Sequence, residues 1–491
     1  MNELVLIAVP LVFAALAFVW PDERSRPRLL PVAGGLHVVG SCWLLVHPPE
    51  PAPGLWLGFD ALAQAVLPMI SLLFFICSLY AVAYLKVRAE RRNRLFVFAL
   101  LLLLAFLSLA IQAQHLGLLW VAAEAATLMT VPLIHFSGTA RAFEASWKYL
   151  LVGGTGIALS LLGSFCLGYA ALNAGGNGDL TFNALAAQFL PLTANPTAEA
   201  ARNSHPWLVA AWVLLLAGYG TKMGLAPMHT WKPDVYGEAP GVVGALLAGG
   251  TTTMAFVAVL RVKQVLDSAG DGAMTRHTLL PFGLFSMLVA ALFLLGSPDF
   301  KRMLAYSSVE HMGILAVGAG LGGIGVWAAL FHVWTNSLTK GVLFLSAGNI
   351  RRAANARNVN EVSGMAWCAP QSSRMFVVGM FAITACPPFG PFFSELLLMR
   401  TAFQDHSTLT AVTFLGCLLL AFLGLTRQVF AIVDGRPRAA ARAMGHRFRE
   451  TNGVILPPLA FLGLSLWIGL ATPPLLTQAW TAAVQLLLPA P

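Results

Sequence analysis

Four charged side chains stand inside long apolar segments of this sequence. They are Glu124 in LGLLWVAAEAATLMTVPLI, Lys222 in GYGTKMGLAPMH, Lys340 in HVWTNSLTKGVLFLSAG and Glu395 in CPPFGPFFSEL. Each charge at the centre of a membrane costs about 2.5–3.5 kcal/mol on insertion scales, so several together require pairing or hydration. Amines and carboxylates in such surroundings can exchange protons, because their proton affinity depends on hydration and on neighbouring charges. The pattern indicates a proton route along the membrane midplane.

Histidines and one further acid could extend this route. His332, Asn336 and Lys340 are spaced four residues apart and therefore share one side of a helix. Histidine titrates near neutral pH, which suits proton transfer. The other candidates are the adjacent pair Glu310 and His311, and His229 at the rim of an interrupted span. The alternative is that these charges form buried ion pairs that only fix helix packing.

The composition predicts the elements that must position these residues. Of the 491 residues, 58% are hydrophobic and only 10% are charged, and the mean hydropathy is +0.75. Soluble proteins carry about 25% charged residues, so we predict an all-α polytopic membrane protein and exclude soluble enzymes, disordered chains and secreted disulfide scaffolds. A span needs about 20 apolar residues. Fourteen segments qualify: 2–20, 29–47, 60–85, 95–112, 115–136, 147–172, 207–228, 241–266, 278–296, 302–321, 324–348, 373–403, 407–433 and 453–471.

Two of these spans are interrupted by proline and glycine. Span 7 runs into GLAPMHTWKPDVYGEAP and span 12 contains CPPFGPFF. Proline removes a backbone donor and clashes with the preceding turn. Breaks five spans apart are what two inverted five-helix repeats, spans 4–8 and 9–13, would produce. We therefore predict four parts: 1–94 with helices 1–3, 95–266 as the first repeat, 278–433 as the second, and 453–491 with helix 14 and a tail that extends it. The long connection 173–206 is predicted to hold at most one short helix.

Basic residues indicate the orientation of the chain. Twenty lysines and arginines, including Lys232, lie in connections after odd-numbered spans, whereas two lie after even-numbered spans. Cytoplasmic connections are enriched in these residues, so both termini are predicted on the non-cytoplasmic side of a bacterial or organellar inner membrane. The net charge of +9 is thereby explained by topology, without a nucleic-acid partner. Arg261 is near a span end, where a long side chain can reach the interface.

The cysteines do not predict a metal or cluster site. The six are isolated from one another, and no CxxC pair occurs. Zinc and iron–sulfur sites need clustered ligands. We therefore expect no metal and no cofactor in this chain, and hence no redox centre of its own.

Two segments resemble signature stretches of a known family. TKMGLAPMHTWKPDVYGEAPGVVGALLAGG and SPDFKRMLAYSSVEHMG are similar to those of the antiporter-like, proton-translocating subunits of respiratory complex I and membrane-bound hydrogenases. The resemblance covers roughly 95–405. Among the branches of this family, the chain most resembles the hydrogenase-4 component F type, because of the acid in SSVEHMG, the SLTKGVLFLSAG stretch and the acid in CPPFGPFFSEL.

The resemblance implies roles for individual residues. Glu124 matches the family's glutamate in helix 5, and Lys222 matches its partner lysine in broken helix 7. Lys340 resembles the central lysine of helix 11, His332 the polar histidine of the same axis, and Glu395 the terminal acid of broken helix 12, facing the outer exit. The chain also departs from the family. Relatives often carry a charged residue in helix 8 where Thr253 stands in LLAGGTTTMAFVAVLR, and Tyr236 replaces a histidine in PDVYGEAP.

These observations favour one function and leave others open. The favoured one is a proton-translocating, non-catalytic subunit of a redox-driven complex of the hydrogenase-4 or NADH-quinone oxidoreductase type. Its expected partners are other membrane subunits and a hydrophilic redox or hydrogenase arm. The alternatives are a subunit of a multi-subunit Na⁺/H⁺ antiporter, a membrane oxidoreductase with its own haem or quinone chemistry, and a purely structural anchor.

Overall fold

Helices make up nearly all of the chain that the structure describes. The computed structural model describes residues 3–50, 54–194, 199–359, 361–405, 407–435 and 448–488. The N-terminal helices are α1 (Val5–Val19), α2 (Leu29–Val46), α3 (Ala61–Val87), α4 (Arg94–Gln112), α5 (Leu116–His135), α6 (Ala140–Asn173), α7 (Phe182–Ala194), α8 (Glu199–Met223), α9 (Trp231–Glu238), α10 (Gly241–Leu246) and α11 (Thr252–Ser268). A π-helical turn, Leu247–Thr251, joins α10 to α11. The C-terminal helices are α12 (Gly272–Leu294), α13 (Phe300–Leu321), α14 (Gly323–Ala354), α15 (Met365–Cys368), α16 (Pro370–Ile383), α17 (Gly390–Gln404), α18 (Thr408–Val433), α19 (Asn452–Leu470) and α20 (Pro474–Leu487).

The predicted all-α membrane fold is confirmed, and fourteen spans can be traced through the described residues. Nine helical segments there are long and apolar enough to cross a membrane. The other spans are the shorter apolar helix α1, α8 with α9, α13, α14, and α16 with α17. Apart from α1, these additional spans contain Lys222, Glu310, Lys340 or Glu395, and such polar residues lower the hydropathy of a span. The spans that composition identifies least readily are therefore those with ionisable groups.

Both predicted breaks are present, between α8 and α9 and between α16 and α17. Gly224 follows α8 directly with φ +78°, a conformation that favours glycine. Irregular backbone at membrane depth requires internal partners. The first break has them, because the Ala226 amide donates to Ser286 Oγ at 2.9 Å and Trp231 Nε1 donates to the Thr221 carbonyl at 2.8 Å. The breaks are separated as two inverted five-helix repeats require.

Three boundaries differ from the prediction. α6 begins at Ala140 and α8 at Glu199, earlier than predicted, because both helices start in polar segments that precede their apolar stretch. The connection 173–206 does contain one short helix, α7, but α8 occupies its last part. The tail is not an extension of the last span, because Pro473 and Pro474 follow the end of α19 and start the separate helix α20.

The predicted division at 1–94, 95–266, 278–433 and 453–491 stays a prediction. Residues 436–447 lie outside the described residues, and with them four arginines of the predicted cytoplasmic connection: Arg436, Arg438, Arg442 and Arg447.

Helix α14 occupies the centre of the helical arrangement. It packs against α3, α10, α13, α16, α17, α19 and α20. Its residues from Ala328 to Ala347 are all buried. A single residue, Gly322 with φ +72°, separates α13 from α14, so the two helices run antiparallel side by side. This hairpin determines which side chains of α13 meet the polar stripe of α14.

Candidate functional site

The first group of ionisable residues joins α5 to the end of α8. Lys222 Nζ lies 3.5 Å from Glu124 Oε2 and donates a hydrogen bond to Thr127 Oγ1. The Lys222 side chain is 5% exposed and that of Glu124 is 24% exposed. Gly153 on α6 leaves room for the amine, because an added Cβ there would lie 3.0 Å from Nζ. The fold thus brings together an ammonium, a carboxylate and a hydroxyl, with the carboxylate on the more open side.

The second group lies on the α13–α14 hairpin. Lys340, which is completely buried, donates to Ser307 Oγ at 2.7 Å. Glu310 lies three residues after Ser307 on the same side of α13 and attracts the Lys340 ammonium electrostatically. Glu310 is itself only 3% exposed. Lys340 is therefore positioned by a hydroxyl and a nearby carboxylate, without a close ion pair.

Two histidines extend the second group toward α17, the helix that follows the second break. His311 Nδ1 lies 2.9 Å from His332 Nε2, and His332 Nδ1 lies 2.9 Å from Ser394 Oγ. Glu395 Oε1 is 4.0 Å from His311 Nδ1. Each imidazole can accept a proton on one nitrogen and donate from the other. This arrangement can transmit a proton between the hairpin and α17 by changes of tautomer.

The fold also brings potential metal ligands together, which the sequence spacing did not predict. One ligand atom each from His311, His332 and Glu395 lie within 4.8 Å of one another. Both nitrogens of His332 are already engaged, with His311 and Ser394. A metal ion would have to replace the hydrogen bond between the histidines, so the observed geometry favours a hydrogen-bonded chain.

The remaining predicted residues are less well connected. His229 is 9% exposed in the break after α8, and its Nδ1 has no hydrogen-bond partner among the described residues. Thr253 is buried at the start of α11, and no hydrogen bond in the described part of the chain joins it to Lys340. Its neighbours Thr251 and Thr252 donate to carbonyls of their own helix. A relay through Thr253 stays a prediction.

Two basic residues were misassigned from the sequence. Lys232 is not in a cytoplasmic connection, because it is completely buried on α9 and donates to Ser308 Oγ at 3.3 Å. Arg261 does not reach the interface. It is 1% exposed and binds Asp60 with both terminal nitrogens, at 2.8 and 3.2 Å, and the Ile111 carbonyl at 2.9 Å. Lys232 follows the predicted end of span 7 and Arg261 lies near a span end, which gave the false signal, and only the tertiary structure reveals their burial.

Comparison with known proteins places this arrangement in a family. Residues 113–421 match the family described as NADH:quinone oxidoreductase/Mrp antiporter, TM. The chain is 33% identical to the hydrogenase-4 component F homolog of Methylacidiphilum infernorum (isolate V4) over 410 residues, which cover 82% of this chain and 84% of that protein. It is 30% identical over 438 residues to NADH-quinone oxidoreductase subunit N of Desulforudis audaxviator (strain MP104C), covering 87% and 84% respectively.

A solved structure has the same fold over almost the entire chain. A chain of the membrane-bound sulfane sulfur reductase, an archaeal respiratory membrane complex, superimposes with a TM-score of 0.85 at 22% identity and covers 99% of this chain and 98% of that one. This likeness bears on the fold alone. The matched segment 113–421 contains every residue of the two ionisable groups, from Glu124 to Glu395. The chain therefore belongs to the NADH:quinone oxidoreductase/Mrp antiporter family of membrane subunits.

Proposed function

We propose that this chain translocates protons as a membrane subunit of a redox-driven complex of the hydrogenase-4 or NADH-quinone oxidoreductase type. The observation that carries the proposal is the buried series on α13, α14 and α17, in which Lys340, His311 and His332 are held by hydroxyl and imidazole partners. Family membership and the names of the relatives support it. Burial of so many ionisable groups is costly, and proton transfer offers a reason for their presence.

The two groups suggest how protons would be held and released. A desolvated lysine keeps its proton only while a carboxylate or water compensates the charge. Movement of Glu124 away from Lys222 would therefore release a proton from the amine, with Thr127 still in place to orient it. In the second group, Lys340 would exchange its proton through Ser307 and the histidines toward Glu395. Glu395 lies in the second turn of α17, the helix that follows the second break, and this end would form the outer exit.

The partners of the proposed complex follow from the names of the relatives. Relatives include a hydrogenase-4 component and a quinone oxidoreductase subunit, so other membrane subunits and a hydrophilic redox arm would accompany this chain. Electron transfer would belong to that arm. A conformational or electrostatic change at the membrane interface would then shift the charge pair of the first group and drive the series.

The membrane and orientation are part of the same proposal. The chain is a multi-pass membrane protein, and we place it in a bacterial or organellar inner membrane with both termini on the non-cytoplasmic side. Ala89 and Asn177 are exposed in connections predicted on opposite sides. In intact cells, a membrane-impermeant maleimide should label Asn177→Cys above the parent chain and leave Ala89→Cys unlabelled until the cells are opened. The reverse pattern contradicts the orientation.

The functional test uses the complete complex in proteoliposomes. Proton uptake per electron is measured while the redox rate is recorded, with an uncoupler as the zero. The double variant Lys222→Met/Lys340→Met removes one amine from each group with little change in volume, and it should retain electron transfer but lose proton uptake. Unchanged uptake by this variant would refute the proposal.

The same preparation tests sodium transport, which remains the second candidate because the family includes Mrp antiporters. Replacing Na⁺ by choline should leave proton uptake unchanged if protons are the only coupled ion. Loss of uptake in choline, restored by Na⁺, would instead support antiport, for which Glu124, Glu310 and Glu395 offer carboxylate ligands.

A further inference from the structure

Lys232 is a completely buried lysine that belongs to neither of the two ionisable groups. It is the second residue of α9, on the far side of the break from Lys222. Ser308, which accepts its hydrogen bond, is adjacent on α13 to Ser307, which accepts from Lys340. Consecutive residues of α13 therefore hold the two amines through their hydroxyls. Thr251 and Thr252, where the π-helical turn meets α11, donate to carbonyls of their own segment instead.

The break in the span provides the space for this side chain. A Cβ at Gly224 would overlap the Cδ, Cε and Nζ atoms of Lys232. Gly224 also needs its positive φ to leave α8. The same glycine thus ends the helix that carries Lys222 and leaves space for the outer part of the Lys232 side chain.

The partners of Lys232 differ from those of Lys301 and Lys148. Lys301 is similarly buried, at 2% exposure, and its ammonium donates to the carbonyls of Gly237 and Ala239. Lys148 binds the carboxylates of Glu144 and Asp234. Lys232 instead has a hydroxyl partner, and the Tyr236 ring lies 6.0 Å from its Nζ. A hydroxyl can accept from the ammonium or donate to the neutral amine, so the site accommodates both protonation states.

We infer that Lys232 is a proton-binding station that connects the Glu124–Lys222 group to the Lys340 group. The inference rests on the proposed function, because a connecting station matters only if protons pass between the groups. The neutral amine takes a proton arriving from the first group and becomes an ammonium. It then gives that proton to the second group and returns to the neutral amine, so no other reactant is required. Repulsion between the Lys232 and Lys340 ammonium groups opposes their simultaneous protonation and favours transfer one proton at a time.

The experiment measures protons taken up per electron by proteoliposomes of the complete complex. Lys232→Met removes the amine at similar length and should lower this ratio at least tenfold while electron transfer continues. Lys232→Arg keeps a cation that does not release its proton and should lower the ratio to the same extent. Lys301→Met is the matched control. It removes a buried lysine that binds only backbone carbonyls, and it should keep the wild-type ratio in the complexes that assemble.

The outcomes separate this inference from the proposed function. A wild-type ratio in either assembled Lys232 variant overturns the inference, and Lys232→Arg decides if the methionine variant does not assemble. An equal loss in Lys301→Met also overturns it, because the effect would not be specific to Lys232. If the Lys222→Met/Lys340→Met variant loses uptake while the Lys232 variants keep it, only the inference fails. If that double variant keeps uptake, the proposed function fails as well.

Discussion

The two halves of the molecule hold their ionisable groups in different surroundings. In the first half, one ammonium faces one carboxylate at 3.5 Å, and the Glu124 side chain is 24% exposed. In the second half the ionisable residues of the group are all at most 3% exposed, and its two histidines and its lysine have hydroxyl or imidazole partners. The ionisable residues are Glu310, His311, His332, Lys340 and Glu395. The first group can change by moving a single carboxylate that lies at its more open edge. The second is enclosed, with Lys340 held at Ser307 and the two histidines held by each other and by Ser394.

The largest effect should follow from removing Lys340, the amine of the enclosed second group. Lys340→Met fills a similar volume and removes the cost of burying an amine, so the complex should assemble. Proton uptake per electron should fall at least tenfold, because no protonatable amine then remains beside Ser307 and Glu310. Lys340→Arg should fail similarly, since arginine does not release its proton. Uptake in proteoliposomes, normalised to the redox rate, measures both variants, and full uptake by the methionine variant would exclude Lys340 from the route.

A smaller effect is expected from the more open pair of the first half. Glu124→Gln keeps the shape of the side chain and removes its charge, while Thr127 still binds the Lys222 amine. Because Lys222 keeps its amine and its Thr127 partner, we expect uptake to fall several-fold, a smaller loss than in Lys340→Met. The comparison uses both variants in parallel preparations with equal redox rates. If Glu124→Gln pumps at the wild-type rate, the pair is structural only.

Sequence reasoning anticipated these groups unequally. Glu124 and Lys222 stand out because each interrupts an apolar segment, and the structure brings them together. The polar stripe of α14 was equally visible, since helical periodicity alone places His332 and Lys340 on one side. Their partners were not, because contact with Ser307 and His311 depends on the antiparallel hairpin that Gly322 creates.

The burial of Lys232 could not be predicted from its local sequence. It lies between tryptophan and proline in WKPDVYGE, a pattern typical of an interfacial loop. The short helix α9 instead enters the interior and buries the amine completely. The second part of a broken span enters the membrane core without a long apolar segment. Neither hydropathy nor charge counting therefore identifies its residues as buried. The inverted-repeat fold was predictable from the spacing of the breaks, whereas the residues between the breaks required the structure.

A modest effect should result from removing a hydroxyl of the second series. Ser307→Ala leaves Lys340 buried without its hydrogen-bond partner, which weakens the connection but keeps the amine and Glu310. We expect uptake to fall two- to five-fold. Ser346→Ala is the matched control, because Ser346 is completely buried on α14 and its hydroxyl has no partner among the described residues. Equal uptake by the two variants would show that the Ser307 hydroxyl does not participate.

The smallest effect on pumping is expected at the buried pair that lies outside both groups. Arg261 binds Asp60 in a bidentate arrangement, and Asp60 also accepts from the Ala63 amide as the N-cap of α3. Arginine does not exchange its proton, so this pair can stabilise the packing of α11 against α3 but cannot relay. Arg261→Met should leave proton uptake per electron at the wild-type value in assembled complexes. Removing one partner of a buried pair typically costs about 3–5 kcal/mol, so the thermal midpoint of unfolding should fall.

A double-mutant cycle shows whether that loss belongs to the pair. Asp60→Asn keeps a good N-cap residue but leaves Arg261 without its carboxylate, and it should also lower the thermal midpoint. The double variant Arg261→Met/Asp60→Asn should be more stable than the sum of the single losses predicts, because neither charge is then buried alone. Additive losses would mean that the two side chains stabilise α3 and α11 independently. Reduced uptake in assembled Arg261→Met complexes would mean that a buried charge without an exchangeable proton can affect transport. The two ionisable groups would then not be the only buried charges on which proton uptake depends.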